Sequence, residues 1–162
     1  MSNPYSIKGV KQFMGMEGMG FNCTLYRDGK KVAFVIDSAQ GGEYEYRFVN
    51  KEEDTKLREY AATLPKYEID GLGMCQPNSD SVIANLIDDW DENRTLKRLC
   101  KNKTVVKLKG EDSYRVAKVL YSQKTRNFLV TKYGDKIEEI LNDRFVTVPV
   151  ESTCSRKICA TW

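Results

Sequence analysis

The tetrapeptide Arg27-Asp28-Gly29-Lys30 lies between two stretches in which apolar and polar residues alternate. Before it, Phe21, Cys23 and Leu25 interleave with Asn22, Thr24 and Tyr26, the period of a half-buried strand. Asp-Gly at such a position is the strongest short hairpin signal. A type I′ turn needs positive φ at both central residues, and Asp and Gly tolerate it. The amino-terminal part of the chain is therefore constrained to an antiparallel sheet. Val32, Phe34 and Ile36 line one face of the return strand, and Ile7 to Phe13 supplies a strand before it. After a Gly41-Gly42 turn, Tyr44, Tyr46 and Phe48 face one side, while Glu43, Glu45 and Arg47 face the other.

The pattern then changes period. Asn50 caps a helix, with Glu53 in a variant of the capping box. Leu57, Tyr60, Ala61 and Leu64 form its apolar stripe, and Pro65 ends it. Residues 66–78, with Gly71, Gly73 and Pro77, read as a long irregular connection and a candidate partner-contact surface. Ser79 or Asn78 caps a second helix with Val82, Ile83, Leu86, Ile87 and Trp90 on its buried side. Leu96, Leu99 and Cys100 continue it or form a separate turn. Two strands, about 103–109 and 113–121, meet at Gly110-Glu111-Asp112. Ser122 starts a helix with Phe128, Leu129 and Tyr133. Gly134 interrupts it, and Asp135 caps a further turn bearing Ile137, Ile140 and Leu141. Val146, Val148 and Val150 alternate as a last strand. Strands followed by helices indicate an α+β fold. It comprises an amino-terminal antiparallel β-meander with two helices over residues 1–100. A basic β-hairpin with a helix and a carboxyl-terminal tail follows over residues 101–162. A joint near residues 101–103 allows two small lobes, and one compact domain is the alternative.

The 162 residues suffice for a real core without staples. The 41% hydrophobic and 30% charged content is a globular balance, which excludes a disordered or collagen-like chain. No apolar run is long enough to span a bilayer, and Met1-Ser2-Asn3-Pro4-Tyr5 shows no secretory signal, so a cytoplasmic protein with no membrane partner is expected. The chain has no histidine. That excludes Ser-His-Asp triads, Cys-His dyads and His-metal sites together. Five cysteines, an odd number, fit free thiols better than a disulfide framework. Cys154 and Cys159 enclose Ser-Arg-Lys-Ile, and Arg156 and Lys157 can lower a thiol pKa. Incidental thiols are the plain reading of this pair, with a metal or redox role as the alternatives.

The charge is unevenly spread. Residues 1–100 carry 13 Lys+Arg and 16 Asp+Glu, a net of −3, and residues 101–162 carry 13 and 7, a net of +6. Four groups of residues invite a function. The first is the glycine loop Gly15-Met16-Glu17-Gly18-Met19-Gly20, which lacks the order of a P-loop or a dinucleotide fingerprint. A flexible turn is its plain reading. Exposed methionine on a pliable loop also suits an adaptable partner contact, which makes Met16, Glu17 and Met19 candidates. The second is Asp88, Asp89, Asp91 and Glu92, either a solvated helix face or an acidic surface for a basic partner. These acids have no EF-hand spacing, and no metal or cofactor is expected. The third is Lys103, Lys107 and Lys109 with Arg115 and Lys118, a solvated face or a ribbon for phosphate. The fourth is the strand of Tyr44, Tyr46 and Phe48, read first as core. No spacing singles out a catalytic residue.

Three stretches also carry a family resemblance. They are Gly15-Met16-Glu17-Gly18 to Gly20-Phe21-Asn22, then Leu25-Tyr26-Arg27-Asp28-Gly29-Lys30-Lys31-Val32-Ala33 with Gly41-Gly42, and Tyr133-Gly134-Asp135-Lys136-Ile137-Glu138-Glu139-Ile140-Leu141-Asn142. Together they resemble small accessory proteins of bacteriophages and mobile elements over less than half of the chain. The resemblance brings no catalytic motif. It implies a viral, non-enzymatic protein that binds and blocks a host protein, such as an effector of anti-phage immunity. A nucleotide or nucleic-acid binding module, including a sponge for a phosphate-bearing signal molecule, is the competing expectation. Oligomeric state and target are not legible.

Overall fold

The computed structural model describes residues 3–145. The strand expected at Val146, Val148 and Val150 and the Cys154–Cys159 pair lie outside those residues. The fold is α+β, and the chain divides into two compact units, Met1–Asp91 and Glu92–Trp162.

The first unit is built on a four-stranded antiparallel meander: β1 (Tyr5–Gly15), β2 (Gly18–Arg27), β3 (Lys30–Asp37) and β4 (Glu45–Phe48), paired in that order. Asp28 and Gly29 have φ of 49° and 78°, and Arg27 pairs with Lys30, so the turn is the one the sequence dictates. The register is less regular than the alternation implies. A shift between Leu25 and Tyr26 accommodates Val32 as an extra residue. Ala33 and Val35 therefore face the core opposite Leu25 and Cys23. Phe34 and Ile36, expected to share a face with Val32, pair with Thr24 and Asn22 on the other side and are half-buried.

Helix α1 (Lys51–Thr63) and the first turns of α2 (Ser79–Cys100) cover the core face. Leu57 and Ala61 of α1 and Val82, Ile83, Leu86 and Ile87 of α2 pack with Cys23, Leu25 and Val35, and Tyr44, Tyr46 and Phe48 flank this cluster. Trp90, expected in the same stripe, is half-buried. Asn50 caps α1 by accepting from the Glu53 N–H at 3.1 Å. The capping box is not reciprocal, because the Glu53 carboxylate accepts two bonds from Arg27 of β2 at 2.8 and 2.9 Å. Residues 66–78, expected to be irregular, contain a small hairpin of β5 (Tyr67–Ile69) and β6 (Gly73–Cys75). Helix α2 runs unbroken through Leu96 and Leu99 to Cys100.

The second unit holds a three-stranded sheet with β7 (Thr104–Leu108) between β8 (Tyr114–Ala117) and β9 (Ile137–Ile140). The helical turn expected after Asp135 is a strand. Ile137, Ile140 and Leu141 fit a helical period, but the second edge of β7 takes Ile137–Ile140 as its partner. A single 3₁₀ turn at Gly134–Lys136 breaks the chain off α3 (Gln123–Tyr133) to allow it, and Leu141 opens the short α4 (Leu141–Phe145). Val105 packs with Leu96, Cys100 and Leu141, and Val106 and Leu108 pack with Leu129 and Ile140, so neither face of β7 is bare. Asn142 is fully buried. Its Nδ2 donates to the carbonyls of Cys100 and Lys103 at 3.1 and 2.8 Å, and its Oδ1 accepts from Val105 N–H at 2.8 Å.

Two stability effects follow from these buried polar groups. Exposed pairs such as Arg58–Asp54 contribute under about 1 kcal/mol. Glu53 is shielded, and removing one partner of such a pair strands the other, so Glu53→Gln is expected to cost about 2 kcal/mol in urea unfolding. The bond from Arg27 holds the Glu53 carboxyl below its ordinary 4.5. The stabilisation is thus complete above that value and is lost as pH falls through the depressed folded-state value. The wild type and the variant should converge in acid. Asn142→Leu leaves one N–H and two carbonyls unsatisfied and is expected to cost about 3 kcal/mol, read as a loss of amide-exchange protection at Val105.

Candidate functional site

A groove of about 260 Å³ opens between the Met19 end of the sheet and helix α2. It is lined by Gln12, Met19, Gly20, Phe21, Asp37, Tyr44, Ala84, Ile87, Asp88 and Asp91. Alternation explains why a methionine is there. Phe21 is buried in the core, so Met19, two residues earlier on β2, points to the same side of the sheet. Met14 of β1 pairs directly with Met19 and shares that side. Helix α2 flanks these two side chains without covering them, and Met14 and Met19 are 77% and 57% exposed. The sheet's apolar face thus runs past its cover as a two-methionine lip.

The end of the hairpin is held in place. The Glu17 N–H donates to the Ala39 carbonyl at 2.9 Å, and the Asp37 carboxylate accepts from the Ala39 N–H at 2.8 Å, which shapes the turn behind it. A Cβ on Gly20 would come within 2.6 Å of both the Asp37 carbonyl and the Phe13 ring, so this close approach requires glycine. Met16 sits at the tip, 91% exposed.

The opposite wall is acidic. Asp88 and Asp91 are exposed at i, i+3 on α2, and among the described residues neither has an ion-pair or hydrogen-bond partner. Asp37 adds a third carboxylate, and the lining contains no Lys or Arg. Tyr44 also lines the groove and packs T-shaped against Phe21 with ring centroids 5.1 Å apart. Burial raises its phenol pKa above the ordinary 10.0, and the charges of Asp37, Asp80 and Asp88 raise it further. The carboxylates are spread along the groove rather than gathered, and among the described residues no group of three or more Asp, Glu or Cys is placed to hold a metal ion.

Two other cavities have most of their charges matched, with Glu43 and Glu138 the exceptions. One of about 420 Å³ includes Tyr46, Asp54, Arg58 and Asp80. There Asp54 pairs with Arg58 through two bonds, and Asp80 accepts from the Tyr46 hydroxyl at 2.6 Å and the Tyr44 N–H at 3.2 Å. A cavity in the second unit is ringed by the pairs Arg126–Asp143 and Arg144–Glu139. These contacts hold elements together and, among the described residues, leave one unpaired carboxylate in each cavity, Glu43 and Glu138.

The structure brings together some of the residues that the sequence singles out and separates others. Met19, Asp88 and Asp91 meet in the groove. Glu17 turns its carboxylate toward Gly41, at the tip. Asp89 is exposed and engaged within the protein. Glu92 accepts from the Tyr114 hydroxyl at 2.9 Å. The basic set is divided. Lys107 pairs with Tyr114 and Arg115 with Val106, which puts Lys107 and Arg115 on opposite faces of the sheet. Arg115 is bound by Glu111, at 2.8 Å through Nε, and Lys107 lies 5.4 Å from the Tyr114 ring centre. Lys103 is half-buried, and Lys109 and Lys118 lie just beyond the ends of β7 and β8. Asp37 was not foreseen as a site residue, and Tyr44 was singled out but read first as core. Their signal was positional: each stands next to a glycine or serine turn at a strand end.

No protein-family model, curated protein or solved structure matches the chain. Among the described residues, no helix is long and apolar enough to cross a membrane.

The groove's electrostatics can be measured directly. The Tyr44 phenol should titrate above the ordinary tyrosine range by NMR. Asp37→Asn and Asp88→Asn should each lower it, with Asp37→Asn the larger effect. An unchanged Tyr44 titration in both variants would place these carboxylates away from the ring.

Proposed function

We propose that this chain is a non-enzymatic accessory protein of bacteriophage or mobile-element type, acting in the host cytoplasm by binding a host protein and covering a functional surface on it. An effector of anti-phage immunity is the target class. The observation that carries the reading is the meeting of the exposed Met19, paired with Met14 at the groove's edge, with unpaired carboxylates in one groove. Methionine side chains adapt to a partner's contours. Unpaired like charges on one helix face cost a few tenths of a kcal/mol in an isolated protein, a cost that a complementary partner removes. A stable protein interface buries more than about 1,000 Å², so the groove is the centre of a footprint that extends over Met14 and the hairpin tip at Met16. Lys107 and Arg115 lie on opposite faces of their sheet, which favours this reading over a single basic ribbon for phosphate.

The test is affinity capture from host lysate with the tagged chain at low and high salt. One protein is expected to remain bound at high salt. Met19→Asp puts a charge into the apolar contact and should weaken that complex at least about tenfold. Recovery of nucleic acid or a small phosphate compound that elutes with salt would overturn the reading in favour of the basic residues.

A further inference from the structure

We infer that the groove recognises a cationic segment of its partner protein, seating a lysine or arginine among Asp37, Asp88 and Asp91 and the neighbouring aliphatic side chain on the Met14–Met19 pair. This rests on the reading of the chain as a protein-binding module and adds the chemistry of what it binds. Charge complementarity selects the occupant. The groove presents three carboxylates and no cation, and two of the three lack any partner among the described residues. Their spread along the wall suits a long, mobile basic side chain or a guanidinium fork better than a compact ion. Tyr44 lines the groove, so a guanidinium entering it also meets an aromatic side chain. The methionine lip borders the acidic wall through Met19, which itself lines the groove. The ligand must therefore carry positive charge and apolar surface side by side. A purely basic chain leaves the lip exposed, and an acidic one meets like charge. Association should be steered by the acidic wall and slow with salt, while the seated apolar contact limits dissociation.

The probes are three short labelled peptides that alternate Arg with Leu, Arg with Ser, and Glu with Leu. Each is titrated into the full chain and followed by fluorescence anisotropy. The Arg–Leu peptide should bind most tightly, the Arg–Ser peptide about tenfold more weakly, and the Glu–Leu peptide not at all. The double variant Asp88→Asn, Asp91→Asn should weaken the Arg–Leu peptide about tenfold. Met14→Ser with Met19→Ser should do the same to the Arg–Leu peptide and change the Arg–Ser peptide little. All four side chains are exposed, so these variants keep the fold, checked by circular dichroism. Equal binding of the Glu–Leu and Arg–Leu peptides would overturn the inference. So would binding that ignores the aspartate variant, or a dimer in sedimentation that the same variants abolish. If no peptide binds but the lysate complex is still lost on Met19→Asp, the inference falls and the blocking function stands. If the peptides behave as expected but the lysate complex ignores Met19→Asp, the cationic site stands and the blocking function falls.

Discussion

Cys23, Leu25, Ala33, Val35, Leu57, Ala61 and Ile83 are each 1% exposed or less, and they form one layer between the meander and its two helices. The rest of the first unit is placed by that layer. A strand's side chains alternate, so a one-residue slip would turn the whole apolar set of β2 outward. The Asp28-Gly29 turn and the extra residue at Val32 together prevent this, because they bring Ala33 and Val35 opposite Leu25 and Cys23. The bond from Arg27 to Glu53 then ties the sheet to the start of α1. The Tyr46–Asp80 bond ties β4 to the start of α2. Burial of several large side chains, at roughly 1.5–3 kcal/mol each, outweighs these polar ties, which specify where the helices sit rather than supply most of the stability.

The groove exists because the covered layer is shorter than the sheet. β1 and β2 run on to the Gly15–Gly18 closure, and the residues that would be core further back, Met14 and Met19, emerge beside the flank of α2. That flank is polar because only Val82, Ile83, Leu86 and Ile87 are needed for burial, which leaves Asp88 and Asp91 to solvent. A surface of this kind costs the isolated protein twice, through exposed apolar area and through like charge. Both costs would be removed by a single partner that is basic and apolar together.

Most elements were legible in the sequence because their signals are local. The turn at Asp28-Gly29, the Asn50 and Ser122 caps and the stripe of α2 each depend on residues within a few positions of one another. Elements were misread where distant pairing decided. Ile137–Ile140 has helical spacing and became a strand because β7 offered it an edge. The hairpin within residues 66–78 escaped notice because Tyr67–Ile69 and Gly73–Cys75 are too short to show a period. Phe34 and Ile36 went to the wrong face because a bulge leaves no mark on alternation. Asn142, the buried polar hub of the second unit, has no local signal because its three partners come from Cys100, Lys103 and Val105.

The candidate site divides in the same way. The sequence alone determined which chemistries were present: methionines beside glycine, four clustered acids, no histidine and a basic carboxyl-terminal third. These follow from composition and spacing, which need no fold. Only the tertiary structure decided which of them meet. It joined Met19 to Asp88 and Asp91, recruited Asp37 and Tyr44, directed Glu92 to Tyr114, and set Lys107 and Arg115 on opposite faces. Spacing along a chain fixes neighbours on one helix or one strand. The distance between a strand end and a helix flank depends on how deeply one packs upon the other.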